Sequence, residues 1–179
     1  MLGAQQVIAI DITERRLEMA SAHGATVTLA MSVEEAWEPV LRVTDGVGAD
    51  MVYDVTGAAP VFSSALTLLR RFGRLVLLGD TGDPTQQHLT GDLITKGLSA
   101  IGAHDSNPPA RSTDHAYWSK RRMAELFFTY LSRGDMRVAD LVTHRYSPLE
   151  AEKAYRMLRE ERASAMGVMF DWTQLWGKK

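Results

Sequence analysis

Asp11 closes a short apolar run, Val7 to Ile10, and is followed by Thr13 and the charged stretch Glu14-Arg15-Arg16. An acid at the carboxyl end of a parallel strand can accept hydrogen bonds from both hydroxyls of an adenosine ribose, and its charge repels a 2′-phosphate. That chemistry favours NAD over NADP, and Arg16, five residues on, is within reach of the same ribose edge. A plainer reading makes Asp11 a cap of the helix that starts after Thr13, with Arg16 a solvated surface charge. Two further apolar runs end in glycine, at Val55-Thr56-Gly57 and at Leu78-Gly79-Asp80. In an open α/β sheet ligands bind outside the carboxyl ends of the strands, and a glycine there lets backbone approach a ligand. Taken singly these glycines need only serve turns. Placed after successive strands and together with Asp11, they point to a row of sites along one sheet edge.

Other chemistries find less support. Histidines stand at 23, 88, 104, 115 and 144, with no i, i+4 partner and no H-E-x-x-H, so no metal site is expected. His104 and Asp105 follow the apolar run that ends at Ala103 and could face a ligand. No G-x-S-x-G elbow and no phosphate-binding G-x-x-x-x-G-K-[ST] loop occurs. The acids of "GDTGD" read as a polar turn, and Lys120-Arg121-Arg122 as a solvated basic face beside the packing residues Trp118, Met123 and Phe127. There are no cysteines, which excludes disulfides, thiolate zinc sites and thiol catalysis. A net charge of -2 gives no reason to expect nucleic acid or an anionic membrane surface as partner. No apolar run approaches the roughly 20 residues of a membrane span, and the start lacks the basic flank and cleavage pattern of a signal peptide. The expectation is a cytoplasmic protein.

The elements that must position these residues follow from periodicity and punctuation. The 179 residues, 45% apolar, suit one domain or one domain with an appendage. Gly3 reads as the C-terminal cap of a helix that would precede it. Val7 to Ile10 is a continuous apolar run, expected of a strand covered on both faces. Thr13 caps a helix over 14–23, which Gly24 ends. A short strand follows at 26–30. Ser32 and Glu35 form a capping box ahead of Val33, Trp37, Val40 and Leu41 at helical spacing. Met51 to Val55 is strand, Val61 to Arg71 helix stopped by Gly73, and "RLVLLGDTGD" a buried strand running into a turn. A short helix at 93–96 and a strand at 98–103 complete a β-α-β alternation, the pattern of a doubly wound parallel sheet. Beyond Asp105 come a loop, a long helix over 117–132, a strand at 141–146, a helix begun by Ser147, Pro148 and Glu150, and a last strand in "AMGVMFDW". The domain boundary is expected near Ala103 to Ser106, giving a nucleotide-binding part over 1–104 and an appendage over 105–179.

The ordered series "LGAQQVIAID", "ERRLEMASAHGAT", "GADMVYDVTG", "LLRRFGRLVLLG", "LSAIGAH" and "THRYSPLEAEKAYRML" resembles the medium-chain dehydrogenase/reductase family, which includes zinc-dependent alcohol and polyol dehydrogenases. The resemblance implies NAD as cofactor. It makes Asp11 the ribose acid and Arg16 the basic residue flanking the adenosine. It places Val55, Thr56 and Gly57 near the cofactor and Leu78, Gly79 and Asp80 along the nicotinamide riboside. Gly102, Ala103 and His104 would lie on the last strand, which approaches the nicotinamide amide and forms the family's usual dimer edge. The segment from Asp105 would return to a catalytic domain.

The chain departs from that pattern at its start. Family members carry first a catalytic domain with the zinc ligands and proton relay, then a first strand and glycine-rich turn. Pyrophosphate needs that turn and a helix N-terminus, so NAD binding by this chain is expected to be weak or lost, and dehydrogenase activity absent. The expected fold is thus a truncated Rossmann-type sheet. Loss of a central strand would expose sheet edges, so homo-oligomerisation through them is expected, and a truncated gene product is an alternative origin. A non-catalytic module acting through self-association or a protein partner remains open. An S-adenosylmethionine methyltransferase also places an acid after its second strand, but it too needs the glycine turn and fits the downstream series poorly.

Overall fold

A computed structural model describes residues 3–79 and 82–175. In chain order the elements are β1 (Ile8–Asp11), α1 (Glu14–Ala22), β2 (Val27–Ala30), α2 (Trp37–Val43), β3 (Ala49–Asp54), α3 (Ala59–Leu68) and β4 (Leu69–Leu77). They continue with α4 (Asp92–Thr95), β5 (Ser99–Gly102), α5 (Lys120–Arg133), β6 (Val142–Tyr146), α6 (Ala151–Glu160) and β7 (Gly167–Phe170). β1 pairs with β2; β3, β4 and β5 form a parallel sheet in that order; β6 and β7 pair in parallel. This is the α/β, parallel-sheet class expected from the alternation. By contact the chain forms two units. One holds the residues up to Ala9, Thr13–Thr28 and those from Phe127 on; the other holds Ile10–Ile12 and Leu29–Leu126. No helix among the described residues is long and apolar enough to cross a membrane.

The core of the second unit lies between α3 and one face of the β3-β4-β5 sheet. Pro60 sits near the start of α3, where its missing amide is harmless. Phe62, Ala65 and Leu66 then recur at helical spacing and pack with Leu69 and Leu75, flanked by Val52, Leu77, Leu93 and Leu98. Burying each such leucine stabilises the fold by roughly 1.5–3 kcal/mol. Along β3 the side chains alternate. Val52 and Asp54 are turned from solvent, while Met51 and Tyr53 are exposed at 38% and 58%.

The passage from α3 to β4 differs from the sequence expectation. The helix was expected to run to Arg71 and stop at Gly73; it ends at Leu68, and Leu69 already belongs to the strand. Ala49 pairs with Leu69 but Met51 with Arg74, so Arg70–Gly73 loops out of the ladder. Phe72 takes φ +61 there, and its amide donates to Lys96 O at 2.8 Å. The helix end is satisfied by a distant side chain instead of a glycine. Lys96 Nζ donates to Thr67 O at 2.9 Å and Leu69 O at 3.2 Å, pairs with Asp92 at 3.2 Å, and stands 5.0 Å from the Trp37 ring centroid. A lysine from far along the chain supplied no local signal.

Local signals elsewhere fared better. Both capping boxes form: Ser32 N donates to Glu35 Oε2 and Ser147 N to Glu150 Oε2, each at 3.1 Å. Each box closes a single 3-10 turn that leads into α2 or α6. Gly24 and Gly134, at φ +105 and +75, follow α1 and α5. Three expectations need correction. Thr13 holds the N-cap position of α1, but its side chain makes no capping bond; its carbonyl accepts from Arg16 N and Leu17 N. The run Val7–Ile10 is not covered on both faces: Val7 is 43% exposed, and β1, which among the described strands pairs only with β2, is half-buried. The long helix starts at Lys120, three residues later than its apolar pattern suggests. In the first unit Asp140 Oδ2 lies 2.8 Å from Arg137 Nε and 3.2 Å from His23 Nε2. Burial pushes that carboxyl pKa up, but its own backbone amide, Arg137 and His23 outweigh burial and hold it below the usual value.

Replacing Lys96 with methionine keeps the apolar stem and removes both carbonyl bonds. We expect a loss of about 2 kcal/mol, the scale of charged hydrogen bonds to partly buried groups, read as a lower urea midpoint. An unchanged midpoint would show that this cap contributes nothing.

Candidate functional site

The carboxyl ends of β3, β4 and β5 continue their register past the strands. Leu78 N and Gly79 N both donate to Asp54 O, at 2.9 and 3.0 Å, and Ala103 N donates to Leu77 O at 2.9 Å. Three successive strand ends are therefore stitched side by side, bringing together Val55, Thr56, Gly57, Leu78, Gly79 and Ala103. Val55 and Leu78 stand exposed there, at 67% and 42%. In a parallel sheet this is the edge that receives ligands.

Asp54, which the sequence reading passed over, organises this edge. It is 3% exposed. Its Oδ1 accepts from Thr56 N at 2.9 Å, Thr56 Oγ1 at 2.8 Å and Gly57 N at 3.3 Å. Thr56 Oγ1 in turn accepts from Ala58 N at 3.1 Å, just ahead of α3. Gly57 adopts φ +67, where a side chain would be strained. The signal was present in "YDVTG": an acid two residues before a threonine and three before a glycine forms a side-chain-closed turn. Asp54 Oδ2 is buried with no hydrogen-bond partner.

Gly79 is required by its neighbour. A Cβ there would stand 2.4 Å from Gly57 N and 2.8 Å from the carbonyl carbons of Val55 and Thr56. The two loops touch backbone to backbone.

The other sequence candidates are distributed as follows. Asp11 ends β1 and is half-buried; Arg16 is half-buried in the first turn of α1. His104 is exposed in the loop after β5, its Nδ1 2.8 Å from Ser106 Oγ and 3.1 Å from Asp105 Oδ1. Asp80 lies outside the described residues. In the turn beyond, Asp83 accepts from Thr85 N at 3.2 Å and Gln86 Nε2 at 2.6 Å. The Thr85 hydroxyl bond above all holds this carboxyl below its usual pKa. Arg122 is not simply solvated: Nε donates to Ser112 Oγ at 2.9 Å, Nη1 to Tyr117 OH at 2.7 Å, and the guanidinium lies 4.3 Å from the Tyr117 ring centroid. Among the described residues no three His, Asp or Glu side chains gather as metal ligands.

Residues 1–116 match the family model described as "Zinc-binding dehydrogenase". Among curated relatives, the L-threonine 3-dehydrogenase of Bacillus licheniformis is 29% identical over 158 residues, which span 88% of this chain and 42% of that enzyme. Among solved structures, benzyl alcohol dehydrogenase from Acinetobacter calcoaceticus superposes with a TM-score of 0.79 at 21% identity, over 94% of this chain and 43% of that one. An alcohol dehydrogenase from Escherichia coli CFT073, solved with its cofactor NADH, gives 0.74 at 19% identity, over 94% and 45%. The strand ends described above thus belong to a Rossmann-type fold.

Gly79→Ala should force apart the loops that meet at Gly57. We expect a loss of roughly 1–3 kcal/mol, as for other overpacked sites, seen as a lower melting temperature with displaced Gly57 amide resonances. Gly82→Ala, with open space around its Cβ position, should stay within about 0.5 kcal/mol of wild type. Equal effects at the two positions would contradict the contact.

Proposed function

The chain belongs to the zinc-binding dehydrogenase family, and we propose that it is the cofactor-binding part of an NAD-dependent alcohol- or polyol-type dehydrogenase. It spans 42% of the length of the L-threonine 3-dehydrogenase it matches. The observation that carries the proposal is the stitched row of strand ends from Asp54 to Ala103, on the edge where parallel sheets bind nucleotides.

The residues present fit the two ends of NAD. Asp11, at the end of β1, would accept from the adenosine ribose hydroxyls and disfavour a 2′-phosphate. Exposed Val55 and Leu78 offer apolar surface for the nicotinamide end, beside the point where the Gly57 and Gly79 backbones meet. What the cofactor supplies when bound is hydride transfer with an alcohol carbon. The residues of this chain bind and orient. The sequence contains no G-x-G-x-x-G turn to offset pyrophosphate charge, so we expect weak NAD binding and no dehydrogenase activity from the chain by itself. Zinc finds no ligand set among the described residues, and in this reading it and the proton relay come from other parts of the complete enzyme.

A second reading, a non-catalytic module that self-associates through its sheet edge, is favoured by one feature. All four residues of β5 are exposed, with Ile101 at 44%, and among the described strands only β4 pairs with it. An open edge of this kind invites pairing with another chain.

Fluorescence titration tests the first reading. We expect NADH to bind in the millimolar range and NADPH more weakly, with Asp11→Ala removing the difference. Absence of any signal at millimolar NADH would end it, and an unchanged preference in Asp11→Ala would remove Asp11 from the site. For the second reading, size-exclusion chromatography should show a dimer or larger species that Ile101→Lys converts to monomer. Co-elution of both as monomers would refute edge pairing.

A further inference from the structure

The Asp54 carboxylate is the least expected group at the strand ends. Alternation puts it on the same side of β3 as Val52, which packs against the apolar core. An apolar residue would suit that side, and a buried carboxylate is unfavourable unless donors compensate it. Compensation here is one-sided. Oδ1 takes all three donors, every one from Thr56 or Gly57, and Oδ2 takes none. The side chain is therefore tied to the loop that follows it and not to the core beside it.

That loop has little freedom to differ. Gly57 must hold positive φ, and the backbone of Val55–Gly57 fills the space where a Cβ of residue 79 would lie. The Thr56 hydroxyl passes the constraint on to Ala58 and the entry of α3. We propose that Asp54 is the positioning residue of the strand-end site. Its Oδ1 holds Val55–Gly57 in the shape that fits against Gly79, and so fixes where exposed Val55 and Leu78 stand to receive the planar nicotinamide end of a dinucleotide. The ring-placing half of this statement rests on the cofactor reading above; the loop-holding half does not. Asp54 need not touch the ligand, since both its oxygens are turned inward. Its influence should be confined to one end of the ligand, because the adenosine end is assigned to Asp11.

Two measurements on the chain test this, with Asp54→Ala, Asp54→Asn and Thr56→Val. Asparagine keeps a carbonyl acceptor in the place of Oδ1. By amide hydrogen exchange, Thr56 and Gly57 should exchange on the order of 100-fold faster in Asp54→Ala and near the wild-type rate in Asp54→Asn, while the Leu75 and Val76 amides keep their protection. Unchanged rates in Asp54→Ala would overturn the loop-holding role. Should Asp54→Ala fail to fold, Thr56→Val, which deletes one donor to Oδ1, should speed exchange at Gly57 and Ala58 in a folded protein, and unchanged rates there would overturn it equally. By titration, NADH should bind about tenfold more weakly to Asp54→Ala, with AMP unaffected. An equal loss for both ligands would mark a general structural defect and overturn the positioning role, as would unchanged NADH binding. A wild-type chain that binds neither ligand would refute the cofactor reading and the ring-placing half with it, while the exchange rates still decide whether Asp54 holds the loop.

Discussion

Asp54 acts on the sheet through two groups at once. Its carbonyl accepts the amides of Leu78 and Gly79, so β4 cannot leave β3 where the ladder ends. Its carboxylate gathers the amides of Thr56 and Gly57 and the Thr56 hydroxyl, so the chain leaving β3 turns toward α3. The rest of the second unit depends on that joint constraint. If the turn opened, Gly79 would lose its seat, and α3 would lose the entry that aims Phe62 and Leu66 at Leu75.

The far end of α3 is tied in a complementary way. There an ammonium, Lys96, serves the last carbonyls of the helix and of the residue that follows it. Its positive charge has the sign that favours the C-terminal end of a helix dipole. Asp54 Oδ1 and Lys96 Nζ each bond mainly to backbone atoms, while Asp54 Oδ2 has no partner. The two groups stand at either end of a ten-residue helix, Asp54 on the loop that leads into it and Lys96 on its last carbonyls. The loop Arg70–Gly73 adjoins the same arrangement. Lys96 holds the carbonyls of Thr67 and Leu69 where the chain enters β4, and in the stretch that loops out just after, Phe72 takes the left-handed region beside Gly97.

How far the sequence could be read tracks how local each cause is. The two serine-glutamate boxes involve residues three apart and form as expected. Strands β3, β4 and β5 were legible because apolar runs bounded by glycine and turn residues are themselves local. The end of α3 was not, since its cap comes from residue 96, and Gly73, a plausible helix stop, instead ends the looped-out stretch Arg70–Gly73, where a Cβ would press on Arg70 O at 2.9 Å. The α5 start was read three residues early because Tyr117 and Trp118 extend its apolar pattern; they meet edge to face at 5.3 Å in the segment before the helix.

For the site, the sequence by itself determined the residue types at the strand ends: an acid closing the first apolar run, and glycines closing two later ones. Composition and order sufficed, because these residues are marked by what precedes them in the chain. Why the glycine at 79 is needed was decided only in three dimensions. Its missing side chain makes room for the backbone of Val55–Gly57, more than twenty positions away in sequence. Burial likewise revealed Asp54. In sequence it is one of 22 acidic residues. Only the tertiary structure shows its carboxylate out of water, and removal from water is what makes its three hydrogen bonds matter.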